Sequence, residues 1–170
     1  MSLMIVMFFL LFSNLSKAQG VDYKAYSLYV YNFMKYVEWP EQDAHDDFVI
    51  CVLGKSKIEK ELSSLSQQKK IKNKSIKVKT CKTVEEIGDC HLLYVADDKS
   101  SLIKDVGAKL KSKNVLIVGE REGLANRGAS LSFVILDNDE LSFDINKKII
   151  NYHKLKIAGS LVKLGTVVAE

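Results

Sequence analysis

The stretch that most constrains this chain is Phe48–Gly54, FVICVLG. Six apolar residues run without interruption and a glycine ends them. A run this short, rich in Val and Ile, predicts a strand buried on both faces. Ser56 followed by Glu59 has capping-box spacing, so a helix is expected to start directly after the turn. A buried strand, a tight turn and a capped helix make the first unit of an α/β fold.

The remaining stretches read as additions to that unit. Upstream, Val21–Val37 has helical periodicity, with Ala25, Leu28, Tyr29, Asn32, Phe33, Tyr36 and Val37 on one face and Asp22 as cap. Tyr23, Tyr26, Tyr29, Tyr31, Phe33 and Tyr36 crowd this segment, and not all can face a core. The ring edges left outside are a candidate contact surface, with Tyr26, Tyr31 and Trp39 as its partner-binding residues. Glu38-Trp39-Pro40 ends the helix at the chain's single proline, and Glu41–Asp47 is an acidic linker.

Downstream, Ile58–Ser66 is a helix and Gln67–Lys74 a basic loop. Ile76–Thr80 alternates apolar residues with lysine, the pattern of a half-exposed edge strand under charged protection. Thr83 and Glu86 form a second capping box on a short helical turn. Cys90–Ala96 and Val115–Val118 are further buried strands, with a helix from Asp97 or Asp98 to about Lys111 between them. Gly119–Gly128 is a polar loop. Ser130–Leu136 and Glu140–Ile145 flank Asp137-Asn138-Asp139, a hairpin signal. Asn146 caps a helix reaching about His153, and Ala158–Val168 is a final helix with Leu161, Leu164 and Val168 inward. The expected fold is a single α/β domain: a mixed sheet with a parallel core and an antiparallel hairpin edge, sandwiched by helices.

Met1–Phe12 is of a different kind, with no charged side chain, and Ser16-Lys17-Ala18 supplies the small residues of a cleavage site. The apolar run is about a dozen residues, short of the ~20 that span a bilayer. Residues 1–18 are therefore expected to be a cleaved signal peptide, and residues 19–170 one exported domain. The 25 basic and 21 acidic residues give a dispersed net charge of +4, which does not ask for nucleic acid. An exported chain with three cysteines is expected to hold one disulfide and one thiol. Two pairings stand open, Cys51–Cys90 and Cys81–Cys90. Metal binding would need a fourth ligand, for which His91 is the only neighbour, so no metal or other cofactor is expected.

The search for catalytic chemistry comes back empty. Gly54-Lys55-Ser56 follows a buried strand, but Val49 stands where a phosphate-binding loop needs glycine. No strand is followed by GxGxxG, and no GxSxG elbow occurs. His45, His91 and His153 are scattered over separate elements. Cys90 and His91 are adjacent on a strand, so they point to opposite faces and form no dyad. No catalytic residue is assigned.

Several stretches together resemble the YfiR family of periplasmic proteins, which also covers HmsC-like regulators. They are Tyr29-Val30-Tyr31-Asn32-Phe33-Met34-Lys35-Tyr36-Val37-Glu38-Trp39-Pro40, Phe48–Gly54, Cys90–Val95, Asn126-Arg127-Gly128, Phe143-Asp144-Ile145-Asn146 and the tail from Leu155 to Leu164. The resemblance implies a periplasmic regulator rather than an enzyme. It would bind an inner-membrane diguanylate cyclase, or a similar membrane sensor, and hold it inactive, lowering cyclic-di-GMP and biofilm formation. It also implies a mixed α/β sandwich with a tendency to dimerise. The family's cysteine pattern matches Cys51 and Cys90, which selects that pairing and leaves Cys81 as an extra thiol able to exchange with it. Ile157-Ala158-Gly159-Ser160 lacks the serine pair of the family's tail. The alternative reading is a periplasmic small-ligand-binding module, with Gly119–Gly128 lining a crevice at the strand ends.

Overall fold

The structure, a computed structural model, describes residues 20–40 and 46–170. The signal-peptide expectation, most of the acidic linker and His45 lie outside those residues. In chain order the elements are α1 (Tyr23–Tyr36), β1 (Val37–Glu38), β2 (Phe48–Leu53), α2 (Ile58–Gln68), β3 (Lys70–Ile71), β4 (Lys74–Cys81) and β5 (Leu92–Val95). A 3-10 helix (Asp97–Leu102) then leads into α3 (Ile103–Lys109) and β6 (Leu116–Gly119). After a second 3-10 turn (Ala125–Arg127) come β7 (Leu131–Ile135), β8 (Leu141–Asn146), α4 (Lys147–Tyr152), β9 (Lys156–Ile157), α5 (Gly159–Val162) and β10 (Thr166–Ala169).

Eight strands form one sheet in the order β10-β8-β7-β6-β5-β2-β4-β3. The run from β4 through β2, β5 and β6 to β7 is parallel. The β7–β8 and β3–β4 pairs are antiparallel. All six residues of β2 are buried, as its uninterrupted apolar run requires. Alternation divides them between two cores. Phe48, Ile50 and Val52 join Leu92, Tyr94, Leu116 and Val118 under α1 and α2. Cys51 and Leu53 join Leu93, Val95 and Ile117 under α3 and the segment around Val84 and Ile87. The result is the expected mixed sheet covered by helices on both faces.

Four local expectations are corrected. The inward face of α1 is turned by about one residue, since Tyr26, Ser27, Val30, Phe33 and Met34 are the buried ones. Leu28 and Tyr36 point outward, 49% and 38% exposed. Ser27 can face inward because its hydroxyl donates to the Lys24 carbonyl at 2.8 Å. The expected final helix divides into α5 and β10, which adds to β8 in parallel and so moves the β7–β8 hairpin off the sheet's edge. Gly165 permits the change of direction: a Cβ there would lie 2.5 Å from the Phe143 ring and 2.7 Å from its carbonyl oxygen. Thr83–Glu86 makes a single turn closed by the Ile87 N–H on the Val84 carbonyl, and Glu86 reaches back to the Lys82 N–H. At Ser56 the hydroxyl accepts from the Ile58 N–H at 3.3 Å, without the reciprocal bond from Glu59 that a complete capping box has.

A small second sheet brackets the whole. β1 pairs antiparallel with β9, joining Val37 to Ile157 and Glu38 to Lys156. The Ala158 N–H donates to the Tyr36 carbonyl, so the end of α1 is fixed by the C-terminal segment.

Candidate functional site

From β2 the chain crosses to β4, and from β5 it crosses to β6 on the other side, so the strand order reverses between β2 and β5. The helices that follow them, α2 and α3, pack into different cores. Ligands of open α/β sheets bind at such a switch point, beyond the carboxyl ends of the strands. Three short segments converge there: Gly54-Lys55-Ser56-Lys57, Ala96-Asp97-Asp98 and Gly119-Glu120. Gly54 has φ of 97°, where a side chain is strained, and a Cβ would collide with the Asp98 carboxylate. The open backbone lets the Lys55 N–H donate to Asp98 Oδ1 at 3.1 Å.

The hub of this end is Glu120, only 9% exposed. Its Oε1 accepts from the Tyr23 hydroxyl at 2.6 Å and from Ser56 Oγ at 3.2 Å, and its Oε2 accepts from the Asp97 N–H at 3.0 Å. One carboxylate thus joins α1, the approach to α2, the 3-10 helix after β5 and the end of β6. Burial, reinforced by the hydrogen bond to Glu120, pushes the Tyr23 hydroxyl up to about 12. Burial also raises Tyr94 and Tyr26. The Tyr94 hydroxyl is enclosed and has no hydrogen-bond partner among the described residues. Sequence reasoning missed Glu120 because it sits in a charged, glycine-rich stretch that reads as solvated loop. The one available signal is its place directly after a buried strand's terminal glycine.

Beside the hub a cleft of about 500 Å³ opens between the ends of β2 and β4. Lys55, Lys57, Lys82 and Lys99 line it together with Glu59, Asp98, Thr80 and Cys81. Its lysine excess suits a small anionic group. The loop expected to line a crevice, Gly119–Gly128, contributes Glu120 to the hub, while Leu124 and Ala125 are buried.

The three residues expected to bind a partner have different surroundings. Tyr26 is 5% exposed, its ring 4.1 Å from that of Phe133, so it belongs to this chain's own core and not to an outer edge. Tyr31 is half-buried, and its hydroxyl donates to the Lys70 carbonyl at 3.3 Å. Trp39 is half-buried, packs edge-on against Phe48 and donates to the His91 carbonyl at 3.2 Å. The histidines within the described residues have structural partners. His91 Nδ1 accepts from the Val49 N–H at 2.9 Å, and His153 Nδ1 lies 2.7 Å from the Lys113 carbonyl oxygen. Among the described residues no cluster of His, Cys, Asp or Glu could hold a metal ion.

All three cysteines are free thiols, and the contact they make is neither of the two pairings weighed from the sequence. Cys51 and Cys81 Sγ atoms lie 3.0 Å apart on the neighbouring strands β2 and β4. Cys90 is half-buried against the same core. Burial raises all three thiols, Cys81 and Cys90 to about 12, so they stay protonated and slow to react at neutral pH. Mild oxidation is expected to link Cys51 to Cys81, and the Cys81→Ser variant to form no link within the chain, because the β2–β5 register sets Cys90 three residues out of step with Cys51. Peptide mapping without reductant checks both. A first product joining Cys51 to Cys90 in the unmutated chain would show that the sulfur contact does not govern pairing.

A family model described as YfiR/HmsC-like matches residues 23–166, which takes in every element from α1 to the start of β10. No curated protein matches the chain. A solved structure titled as the ABC domain in complex with L-Trp from Streptococcus pneumonia superposes with a TM-score of 0.51 at 15% identity. The overlap covers 71% of this chain and 55% of that one, little more than half its length, and the likeness is one of fold.

Proposed function

This chain belongs to the YfiR/HmsC-like family, and from that premise we propose that it is a periplasmic regulatory protein whose client is an inner-membrane diguanylate cyclase or a similar membrane sensor. Binding would hold the client inactive and so lower cyclic-di-GMP signalling and biofilm formation. The observation that carries the reading is the extent of the match, which spans both cores and the switch-point hub. Members of the family are regulators. Among the described residues no helix is long and apolar enough to cross a membrane. Deleting the gene should raise cellular cyclic-di-GMP, and restoring it should reverse the rise. Unchanged nucleotide levels, with no membrane sensor recovered by crosslinking, would sink the proposal.

The lysine-lined cleft supports a second reading, a small-ligand-binding module whose ligand carries an anionic group. A ligand that binds the folded state must raise its melting temperature. Thermal shifts against nucleotides and amino acids, with Lys55→Ala as the comparison, separate this reading from the first.

A further inference from the structure

β4 is covered on its inner side and left open on most of its outer one. β2 pairs with Ile76–Cys81 along its full length, whereas β3 reaches only Lys74 and Ser75. Among the described residues no strand pairs with the outer side of Ile76–Cys81. The Gly54 N–H donates to the Cys81 carbonyl. Backbone groups alternate in direction along a strand, so Lys77, Lys79 and Cys81 address β2. The N–H and C=O groups of Ile76, Val78 and Thr80 then face outward.

The side chains along this edge are sorted by face. Ile76 is buried in the core beneath α2, and Val78 packs against the same core while remaining partly accessible. Lys79 is exposed on the opposite face, with Lys82 just beyond the strand. Lys77 shares that face but already pairs with Asp47. Each end of the open edge meets a hollow. At the Cys81 end lies the cleft of about 500 Å³. At the other lies a hollow of about 250 Å³ lined by Met34, Trp39, Phe48, Ile71, Lys72 and Lys74.

We propose that the outer edge of β4 takes up an extended segment of a partner protein as an added strand, and that the segment alternates acidic with apolar residues. Strand addition draws its affinity from main-chain hydrogen bonds and its selectivity from the alternate side chains. The backbone of Ile76, Val78 and Thr80 supplies the first. Apolar residues on one face of the added strand meet Val78 and the edge of the core, and carboxylates on the other meet Lys79 and Lys82. Charge selects the occupant. A second copy of this chain would set lysine against lysine, and like charges directly opposite destabilise a strand pair. Lysines on an open edge discourage such self-pairing, while an acidic strand turns the same charges into attraction. The inference concerns the chemistry of the partner segment and holds whether or not the client is a diguanylate cyclase.

The test is hydrogen exchange on the full chain with two peptides, an alternating Glu-Val octapeptide and its Lys-Val counterpart, both blocked at their ends. The Glu-Val peptide should slow exchange of the Ile76, Val78 and Thr80 amides by about tenfold and leave α3 unchanged, since exchange reports local opening of backbone bonds. The Lys-Val peptide should not. The double variant Lys79→Glu, Lys82→Glu, with its melting temperature as a folding control, should reverse the preference. Three results overturn the proposal: no protection at millimolar Glu-Val peptide, equal protection by both peptides, or protection without peptide that grows with protein concentration, which would make a second copy the occupant.

Discussion

Phe33→Ala is expected to cost the fold about 4 kcal/mol, the middle of the range for emptying a buried aromatic site. Phe33 has no exposure and stands where α1 meets the sheet. Its ring lies 4.9 Å from that of Phe143 and 5.8 Å from that of Phe133, on the two strands of the hairpin, and 6.2 Å from that of Tyr29. Truncation removes the edge-to-face contacts as well as the buried area. The surrounding rings are held by two strands paired through five residues, so the cavity cannot readily collapse. A domain of this size has only ~5–15 kcal/mol of stability in all, so the variant should be close to unfolding at growth temperature. Urea denaturation should show a lower midpoint with an unchanged slope. Leu28→Ala, on the exposed face of the same helix, is the control and should shift the midpoint little. A loss below about 1 kcal/mol for Phe33→Ala would mean that α1 is not seated as described.

Glu120→Leu should destabilise by roughly 3 kcal/mol, because it removes the shared acceptor of three donors while keeping the bulk. The Asp97 N–H and the Tyr23 hydroxyl, both part-buried at these bonds, lose their partner. Tyr23→Phe deletes one of the three bonds and should cost about 1 kcal/mol. The pair also differs with pH. The hydroxyl of Tyr23 is raised from 10.0 to about 12 in the folded state. A raised value means that its contribution is fully present below pH 10 and is lost as pH climbs through 12. Tyr23 is partly exposed, so solvent screening keeps this contribution shallow. Tyr26 and Tyr94 are raised as well and act in the same direction, so the Tyr23 share is the difference between the native chain and Tyr23→Phe. Thermal melts across pH 10 to 12 should show a smaller alkaline loss in Tyr23→Phe. Parallel curves for the two proteins would show that Tyr23 is not raised in the folded state.

What the sequence disclosed and what it hid follow one physical line. β2, β5 and β6 were legible because burial on both faces forces unbroken apolar runs, and a glycine or an aspartate ends each. The edge character of β4 was legible because its lysines alternate with apolar residues. The inward face of α1 was misplaced by a residue because its tyrosines serve either face. Tyr26 is enclosed by Phe133, whereas Tyr31 keeps its hydroxyl on a surface carbonyl. β10 reads as helix in the sequence because four residues, TVVA, are too few to show a period. Gly165 held the missing hint, since only a glycine fits against Phe143 there. The β1–β9 pair had no local signal, being two residues against two across more than a hundred. The cysteine contact was hidden for the same reason: it depends on β4 lying beside β2, and no residue of either strand announces its neighbour. Glu120 is the one hub residue whose role no pattern could state, because its three donors come from three separate segments.

The bracket between β1 and β9 has a bearing on the order of assembly. Strands β2, β4, β5 and β6 are joined by short crossovers and can associate as each emerges, since closing a short loop loses little entropy. α1 precedes them all in the chain, yet its end is fastened by Lys156 and Ile157, and its rings are covered by Phe133 and Phe143. α1 can meet β2 and α2 early, but the part of its apolar stripe around Phe33 and its C-terminal end stay open until the last fifth of the chain has arrived. Such long-range closure slows folding and lengthens the interval in which the stripe can meet something else.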